Sequence, residues 1–185
     1  MKAVFRFVRD EQELEHTLGI LKQLRCAHCG RVGTLNRHDT LHGNDLNAAD
    51  KSTTRGRRGW CSTRGRRGGC GRTVAIVFVR VLPRHSFTAP MLDKILSGLC
   101  DGHSVQAAWR NSRLPVAVQT VHHLLQRLRR RLDALRTTLL ARCAPPVSRH
   151  TDPLRQTAEH LRCAFATDSS AVEAFQYTFQ APLMG

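Results

Sequence analysis

Cys26-Ala-His-Cys29 and Cys61-Ser-Thr-Arg-Gly-Arg-Arg-Gly-Gly-Cys70 are the two stretches that decide the fold of this 185-residue chain. A Cys-x-x-Cys turn directs two sulfurs to the same side, and two such pairs can supply the four thiolates of one tetrahedral zinc ion. The second pair has eight intervening residues, where roughly two to four are usual, and its glycines could let the extra residues fold back. We therefore predict a zinc site whose ligands are Cys26, Cys29, Cys61 and Cys70.

Other residues leave alternatives open for this site. His28 and His38 are near enough in sequence to replace a cysteine as a ligand. A disulfide framework is disfavoured, because residues 1–8 alternate apolar and polar side chains and precede acidic residues, unlike the apolar run of a secretory leader. We therefore expect a cytoplasmic protein. The three remaining cysteines stand in apolar helical contexts and are interpreted as small buried residues, namely Cys100, Cys143 and Cys163.

The charge of the chain is strongly basic and unevenly distributed. Lysine and arginine total 29 against 14 acidic residues, which gives a net charge of +15. Residues 26–142 contain 21 of these cations but only six of the acids, so the whole net charge belongs to this segment. A field of one sign at this density favours binding to polyanions such as the phosphate backbone of nucleic acid. No apolar run approaches the ~18 residues of a membrane span, and we expect no membrane partner.

The first half of the chain is predicted to form short strands around the metal. We assign residues 1–25 to an N-terminal strand and a leucine-bearing helix, and residues 26–83 to a zinc ribbon. Residues 31–60 have few apolar side chains and many turn formers, which indicates a long surface loop around a short strand at 32–35. The β-branched, apolar run 73–82 predicts a strand that ends at the following proline.

Residues 88–142 are predicted to form a helix-turn-helix unit of three helices. Thr88 can cap the first helix, and Ser104 can cap a short second helix that extends to about Asn111. Arg113-Leu-Pro115 then forms a turn, and the third, long helix begins near Val116. In such units the N-terminal residues of the third helix meet base edges in the major groove. The predicted fold class is therefore α+β, mostly α.

An apolar seam runs along the predicted third helix over residues 118–139. Two interpretations stay open: the seam covers an intramolecular core against a C-terminal helical tail at 150–185, or it joins two chains as a homodimer. The tail contains two predicted helices, at 154–165 and 171–179. The seam residues follow one another at steps of three and four and are Val118, Val121, Leu125, Leu128, Leu132, Leu135 and Leu139.

Three stretches carry a resemblance to a known family. They are Cys26-Ala-His-Cys-Gly30, the arginine-rich run from Arg58 to Thr73, and the helical pair Ser104-Val-Gln-Ala-Ala108 and Thr120-Val-His-His123. Together they resemble the N-terminal region of bacterial insertion-sequence transposases and their small companion proteins, over about residues 24–140. The resemblance implies a zinc ribbon followed by a helix-turn-helix that binds the DNA ends of the element or its promoter. The wide spacing between Cys61 and Cys70 departs from the commonest ribbon pattern.

We do not predict the catalytic domain of such transposases in this chain. Their nuclease fold needs three acidic metal ligands spread over a domain of its own, and four acids follow Arg142 within 43 residues. Tyr177 is the sole tyrosine and no His-x-x-Arg box precedes it. His122 and His123 are adjacent on one helix and diverge by about 100°, which does not suit a shared metal. We therefore expect no enzymatic activity.

Candidate DNA contacts fall into three groups. The start of the third helix offers Gln119, best suited to adenine, together with Thr120, His122 and His123. Phosphate contacts are expected from arginines at the turn and farther along the helix, namely Arg110, Arg113, Arg127 and Arg130. Two Gly-Arg tracts beside the metal could follow the DNA backbone or enter a minor groove, although such tracts also bind RNA: Arg55, Arg57 and Arg58, and Arg64, Arg66 and Arg67.

These features favour a zinc-containing protein of a mobile element that binds double-stranded DNA and associates with the nucleoid. Two alternatives remain at this point. The chain could be an adaptor that grips a transposase or recombinase partner through the ribbon and the seam. It could also be a truncated transposase remnant whose tail has no role.

Overall fold

The apolar run after Cys70 forms an inner strand of a mixed four-stranded sheet in a computed structural model, which describes residues 4–44, 52–64 and 68–184. The strands are β1 (Phe5–Val8), β2 (Leu35–Asn44), β3 (Ser52–Cys61) and β4 (Thr73–Phe78), in the order β1-β4-β3-β2. β1 runs parallel to β4, and the other two pairs are antiparallel. The predicted strand at 73–82 is confirmed for its first six residues, and β4 ends at Phe78.

The N-terminal strand and helix belong to the same unit as the cysteines. The chain divides into a first unit that ends at Val81 and a second unit that begins at Leu82. α1 (Glu11–Gly19) is capped by Asp10, whose carboxylate accepts from the N–H of Glu13 at 2.8 Å. Its leucines share one core with β1, β2, β3 and β4. The core contains Leu14, Leu18, Leu35, Cys61, Val74, Ile76 and Phe78, among others.

Residues 31–60 contain a long β-hairpin, and the predicted surface loop is wrong for most of this range. β2 and β3 pair from Leu35 and Cys61 outward to Asn44 and Ser52, with two irregularities in register. Their side chains are largely polar because much of the hairpin is exposed, and the backbone hydrogen bonds do not depend on apolar content. Gly56 of β3 (φ +145°) has no room for a side chain, because a Cβ there would lie 2.0 Å from the carbonyl oxygen of Ile76.

The second unit is helical and begins with the predicted helices. Ser104 caps the helix at Val105–Ser112, and its hydroxyl accepts from the N–H of Ala107 at 3.2 Å. The C-terminal helical pair is confirmed within one residue of its predicted bounds. Asp93 accepts from the N–H of Ala171 at 3.0 Å and so satisfies a backbone donor at the start of the last helix. The helices are α2 (Ala89–Cys100), α3 (Val105–Ser112), α4 (Val118–Arg129), α5 (Leu132–Leu140), α6 (Pro153–Ala164) and α7 (Ala171–Phe179).

The predicted long third helix is two helices, and this corrects the prediction. α4 ends at Arg129 and α5 begins at Leu132, with a turn at Arg130 and Arg131 between them. Arg131 donates from Nη1 to the carbonyls of Pro182 and Leu183 at 2.8 and 2.9 Å, so the tail of the chain holds the turn.

The apolar seam is covered within the chain. Leu125, Leu128, Leu135 and Leu139 are each at most 4% exposed. With Leu96 of α2, Leu154 and Leu161 of α6 and Leu183, the seam leucines surround a cavity of about 10 Å³, which indicates close packing. The seam thus lies in the intramolecular core of the second unit, as the first of the two interpretations expects, and a homodimer through residues 118–139 stays a prediction.

The described residues show seven α-helices and four strands, which confirms an α+β, mostly α fold. The longest of these helices have 12 residues, and none meets the length and hydropathy of a membrane span.

Candidate functional site

Four cysteine sulfurs meet at one end of the sheet in the first unit. The Sγ atoms of Cys26 and Cys70 are 3.8 Å apart, and those of Cys29 and Cys61 are 3.7 Å apart. All four lie within 4.8 Å of one another, and they could hold a metal ion. Cys26 and Cys61 are buried, Cys70 is half-buried and Cys29 is exposed, so the candidate centre reaches from the core to the surface. The ligand set predicted from sequence is therefore brought together.

The first pair lies in a tight turn after the short 3-10 segment that follows α1. The N–H of Gly30 donates to the carbonyl of Cys26 at 2.7 Å, and the N–H of Cys26 donates to the carbonyl of Arg31 at 2.9 Å. Gly30 has φ +72°, which favours glycine. The N–H of His28 also points to the Sγ of Cys26, at 3.5 Å. These bonds hold the two sulfurs on one side of the turn.

The second pair repeats the same turn with six extra residues looped out. The N–H of Gly71 donates to the carbonyl of Cys61 at 2.9 Å, and the N–H of Cys61 donates to the carbonyl of Arg72 at 2.9 Å. Gly71 has φ +70°, matching Gly30. A bond from the N–H of Gly69 to the carbonyl of Ser62 closes the base of the excursion. The eight-residue spacing is therefore compatible with an ordinary two-cysteine turn.

The pKa values of the two buried thiols are shifted in opposite directions. Burial raises the pKa of Cys26 to about 12. Burial also raises the pKa of Cys61, but its side-chain hydrogen bond with the Thr34 hydroxyl, 3.2 Å away, and the bond that it accepts from the N–H of Cys70, 3.3 Å away, outweigh burial and lower this pKa to about 7.

The histidines that could have replaced a cysteine are engaged elsewhere. His28 donates from Nε2 to the carbonyl of Thr73 at 3.1 Å. His38 lies on β2 against Asp39, and its ring meets the edge of Trp60 with centroids 6.4 Å apart. Neither belongs to the candidate metal cluster. Of the other cysteines, Cys100 is buried as expected, whereas Cys143 is half-buried and Cys163 is exposed.

The arginines around the candidate metal centre differ in the bonds that their side chains make to other residues of the chain. Arg58 pairs with Asp39 at 2.6 Å, and Arg55 is half-buried and engaged within the chain. Arg57 and Arg64 have no ion pair with any residue that the structure describes, and Arg64 is exposed. Arg66 and Arg67 lie outside the described residues. Among the described arginines of the two tracts, Arg57 and Arg64 are therefore the ones without an ion pair to the described part of the chain.

The turn between α3 and α4 is held by specific bonds. Trp109 donates from Nε1 to the carbonyl of Val116 at 2.7 Å, and Arg113 adopts φ +50° to end α3. Ala108 and Val121 are buried on the two sides of the turn. Gly98 of α2 faces Ala108 so closely that an added Cβ would lie 2.9 Å from the Ala108 Cβ. These contacts fix α4 relative to α2 and α3.

The candidate DNA-contacting side chains of α4 and the turn all face solvent. The exposed set is Gln119, Thr120, His122, His123, Arg127 and Arg130, with Arg110 and Arg113 at the end of α3. Two further arginines of this region, which the sequence analysis did not distinguish from the candidate DNA contacts, have structural roles. Arg129 binds Asp152 through two hydrogen bonds of 2.7 and 3.0 Å, and Arg131 binds the tail. Arg129 lies about 200° around the helix from Arg127, which is the signal that could have distinguished it, whereas Arg131 lies in the turn after α4, where helical position gives no signal.

The resemblance stated above depends on a few short motifs. The structure brings the cysteines together and exposes the polar start of α4, but neither arrangement belongs to one family alone. No protein-family model, no curated protein and no solved structure matches this chain, and its relation to insertion-sequence transposases stays a prediction from those motifs.

Proposed function

We propose that this chain is a zinc-dependent DNA-binding protein of a mobile genetic element, which recognises the ends of the element or its promoter and is associated with the nucleoid. The proposal assigns it no catalytic role. Its first unit holds the metal, and its second unit presents α4 to the major groove.

The spacing of the sulfurs supports zinc as the metal. A tetrahedron of thiolates at about 2.3 Å from zinc has edges of about 3.8 Å. Two of the six Sγ–Sγ distances, 3.7 and 3.8 Å, match this edge, and all six lie within 4.8 Å. Sulfur ligands without oxygen or water suit a closed structural site, in which the metal stabilises the fold.

The observation that carries the DNA-binding proposal is the exposed face of α4. Its first turns present amide, hydroxyl and imidazole groups, and residues 102–132 contain six arginines and no acidic residue. An amide such as that of Gln119 can pair with both hydrogen-bonding positions of adenine. A one-sign helical surface behind a fixed turn is the arrangement that a helix-turn-helix uses to enter a groove.

A combined metal and footprinting measurement tests the proposal. The purified full chain should contain about one zinc ion, and it should protect a defined segment of the genomic DNA that flanks its coding sequence. Affinity for that segment should fall steeply with salt and exceed the affinity for an unrelated duplex of equal length. Equal affinity for all duplexes would contradict recognition of element ends, and a metal-free folded chain would contradict the zinc site.

A further inference from the structure

A groove of about 390 Å³ lies beside α4 in the second unit, between that helix and the segment 85–87 that precedes α2. Three of its polar side chains come from α4 and a fourth from Arg130, the residue that follows the helix; they are spaced at steps of three and four and so form one stripe. The volume is within the range of about 300–1,000 Å³ typical of ligand sites. The residues that line the groove include Ser86, Thr120, His123, Arg127 and Arg130.

The two arginines of the groove are the ones whose guanidinium groups make no hydrogen bond or ion pair to the described residues. The end of α4 and the turn after it carry four arginines. Arg129 is paired with Asp152, and Arg131 is bonded to the tail. Arg127 and Arg130 have no hydrogen bond or ion pair from their guanidinium groups to any residue in the described ranges, and both line the groove.

The groove favours an anion. Its lining residues fall within the stretches 82–92 and 102–132. Neither stretch contains an aspartate or glutamate. Ser86 and Thr120 add short hydroxyl groups, which donate to phosphate oxygens in protein–DNA complexes. Two guanidinium groups and two hydroxyls around one groove match the charge and the donor requirement of a phosphate.

We propose that this groove binds adjacent phosphates of the DNA backbone, with Arg127 and Arg130 supplying the charge and Ser86 and Thr120 supplying neutral donors. The inference rests on the proposed DNA-binding function and adds Ser86, which no sequence motif indicated. Phosphate contacts set the position of a protein on the duplex without reading sequence. The groove would therefore position α4 so that Gln119 and His122, on the neighbouring stripe, reach the bases.

The test is a salt series of equilibrium binding with the full chain. The probes are a duplex of the flanking genomic DNA and an unrelated duplex of the same length. Arg127→Ala should weaken binding to both by a similar factor, roughly 10-fold, and should reduce the slope of log K against log salt by about 1. Ser86→Ala should weaken both without changing the slope. Lys94→Ala, which removes an exposed charge outside the groove, is the matched control and should leave the slope unchanged.

Two outcomes separate this inference from the proposed function. If the full chain binds the flanking duplex but Arg127→Ala and Arg130→Ala behave like Lys94→Ala, the groove is not a phosphate site and the DNA-binding function stands. If the full chain binds neither duplex, that function fails, and NMR titration with inorganic pyrophosphate decides the groove alone. Shifts at the amides of Thr120 and His123 that Arg127→Ala abolishes would support it, and their absence would overturn it.

Discussion

Gly69 shows how little space the candidate metal centre leaves for single side chains. A Cβ at this position would lie 2.3 Å from the Sγ of Cys61 and 2.6 Å from the carbonyl oxygen of Ser62. The chain at Gly69 therefore passes so close to the Cys61 sulfur that a side chain there would clash with it. The same sulfur accepts from the N–H of Cys70 and bonds the Thr34 hydroxyl, so its position depends on several close contacts.

We expect Gly69→Ala to lower zinc affinity by about 10–100-fold, the usual effect of disturbing the surroundings of a metal ligand. Competition with a chromophoric chelator measures this affinity. Gly19→Ala is the matched control, because an added Cβ there has open space around it, and its zinc affinity should equal that of the parent. Equal affinities for the two variants would contradict the crowding at Cys61.

The exposed residues of α4 should separate sequence recognition from general attraction. Gln119→Ala should relax the preference for the flanking sequence, because an amide that pairs with adenine contributes about 1–3 kcal/mol of discrimination. Arg130→Ala should weaken binding to every duplex alike. Competition assays with matched and mismatched duplexes measure both effects. If the two variants behave in the same way, α4 is not placed in the groove as proposed.

The helices of the second unit are joined by ion pairs and by the leucine seam, and these have different strengths. Arg129 of α4 binds Asp152, the cap of α6, on a partly exposed surface. The leucines of α4 and α5 are buried against α2 and α6. Surface pairs contribute little and depend on pH, whereas buried leucines contribute much and do not.

The hydrogen bonds from Arg129 lower the pKa of Asp152, and this predicts a pH-dependent contribution. The pair should stabilise the fold fully above the unfolded carboxyl pKa of about 3.9, and the gain should disappear as pH falls through the lower folded pKa. Arg129→Ala should therefore cost about 0.5 kcal/mol at pH 7, and less below about pH 4. Urea midpoints measure this. Arg127→Ala, with the same loss of charge, should be neutral throughout; a pH-independent cost for Arg129→Ala would refute the pairing.

Truncation of the seam should destabilise a single chain. Leu135→Ala should lower the free energy of unfolding by about 2–5 kcal/mol, because Leu135 is 4% exposed within the core of the second unit. Leu140→Ala, at a position 58% exposed on the same helix, should cost little. Urea unfolding with sedimentation of the parent and both variants measures stability and mass. A mass that falls on Leu135→Ala would instead indicate a dimer interface.

The molecule as a whole consists of two units that are stabilised in different ways. The first unit has a small core in which Cys26 and Cys61 are themselves buried members. Small domains of this kind depend on a metal or a disulfide for much of their stability. The second unit has a helical core that includes Leu183 and Met184, both at most 1% exposed, so the C-terminal tail is part of the fold.

Removal of the metal should therefore unfold the first unit and spare the second. We expect chelation, or Cys61→Ser, to abolish amide protection in β1 and α1 as well as in the hairpin, because they share the core with the cysteines. The helices α2 to α7 should keep their protection. Hydrogen exchange resolved by mass spectrometry measures each segment. Protection of β1 and α1 in the chelated protein would show that they fold without the metal.

Local chemistry in the sequence was sufficient for the cysteine cluster, the strand after Cys70, the Ser104 cap and the two C-terminal helices, whereas Thr88 stands at its predicted cap position without a side-chain cap hydrogen bond. Each of these depends on residues close in sequence: a turn glycine beside a cysteine, a run of β-branched side chains, or a serine before an apolar stripe. The fold class and the four sulfurs could be predicted for this reason.

The remaining features depended on contacts between distant residues. Leucine and arginine favour helix on both sides of Arg130, so propensity alone predicts one long helix, and the turn exists because the tail accepts hydrogen bonds from Arg131. The polar hairpin at 35–61 is stabilised by backbone pairing with β4, which no apolar pattern reveals. The seam had two possible partners, and only the packing of α2 and α6 showed that it lies in the core of one chain. Sequence determined which residues carry the chemistry, and tertiary contacts decided which of them remain free to act.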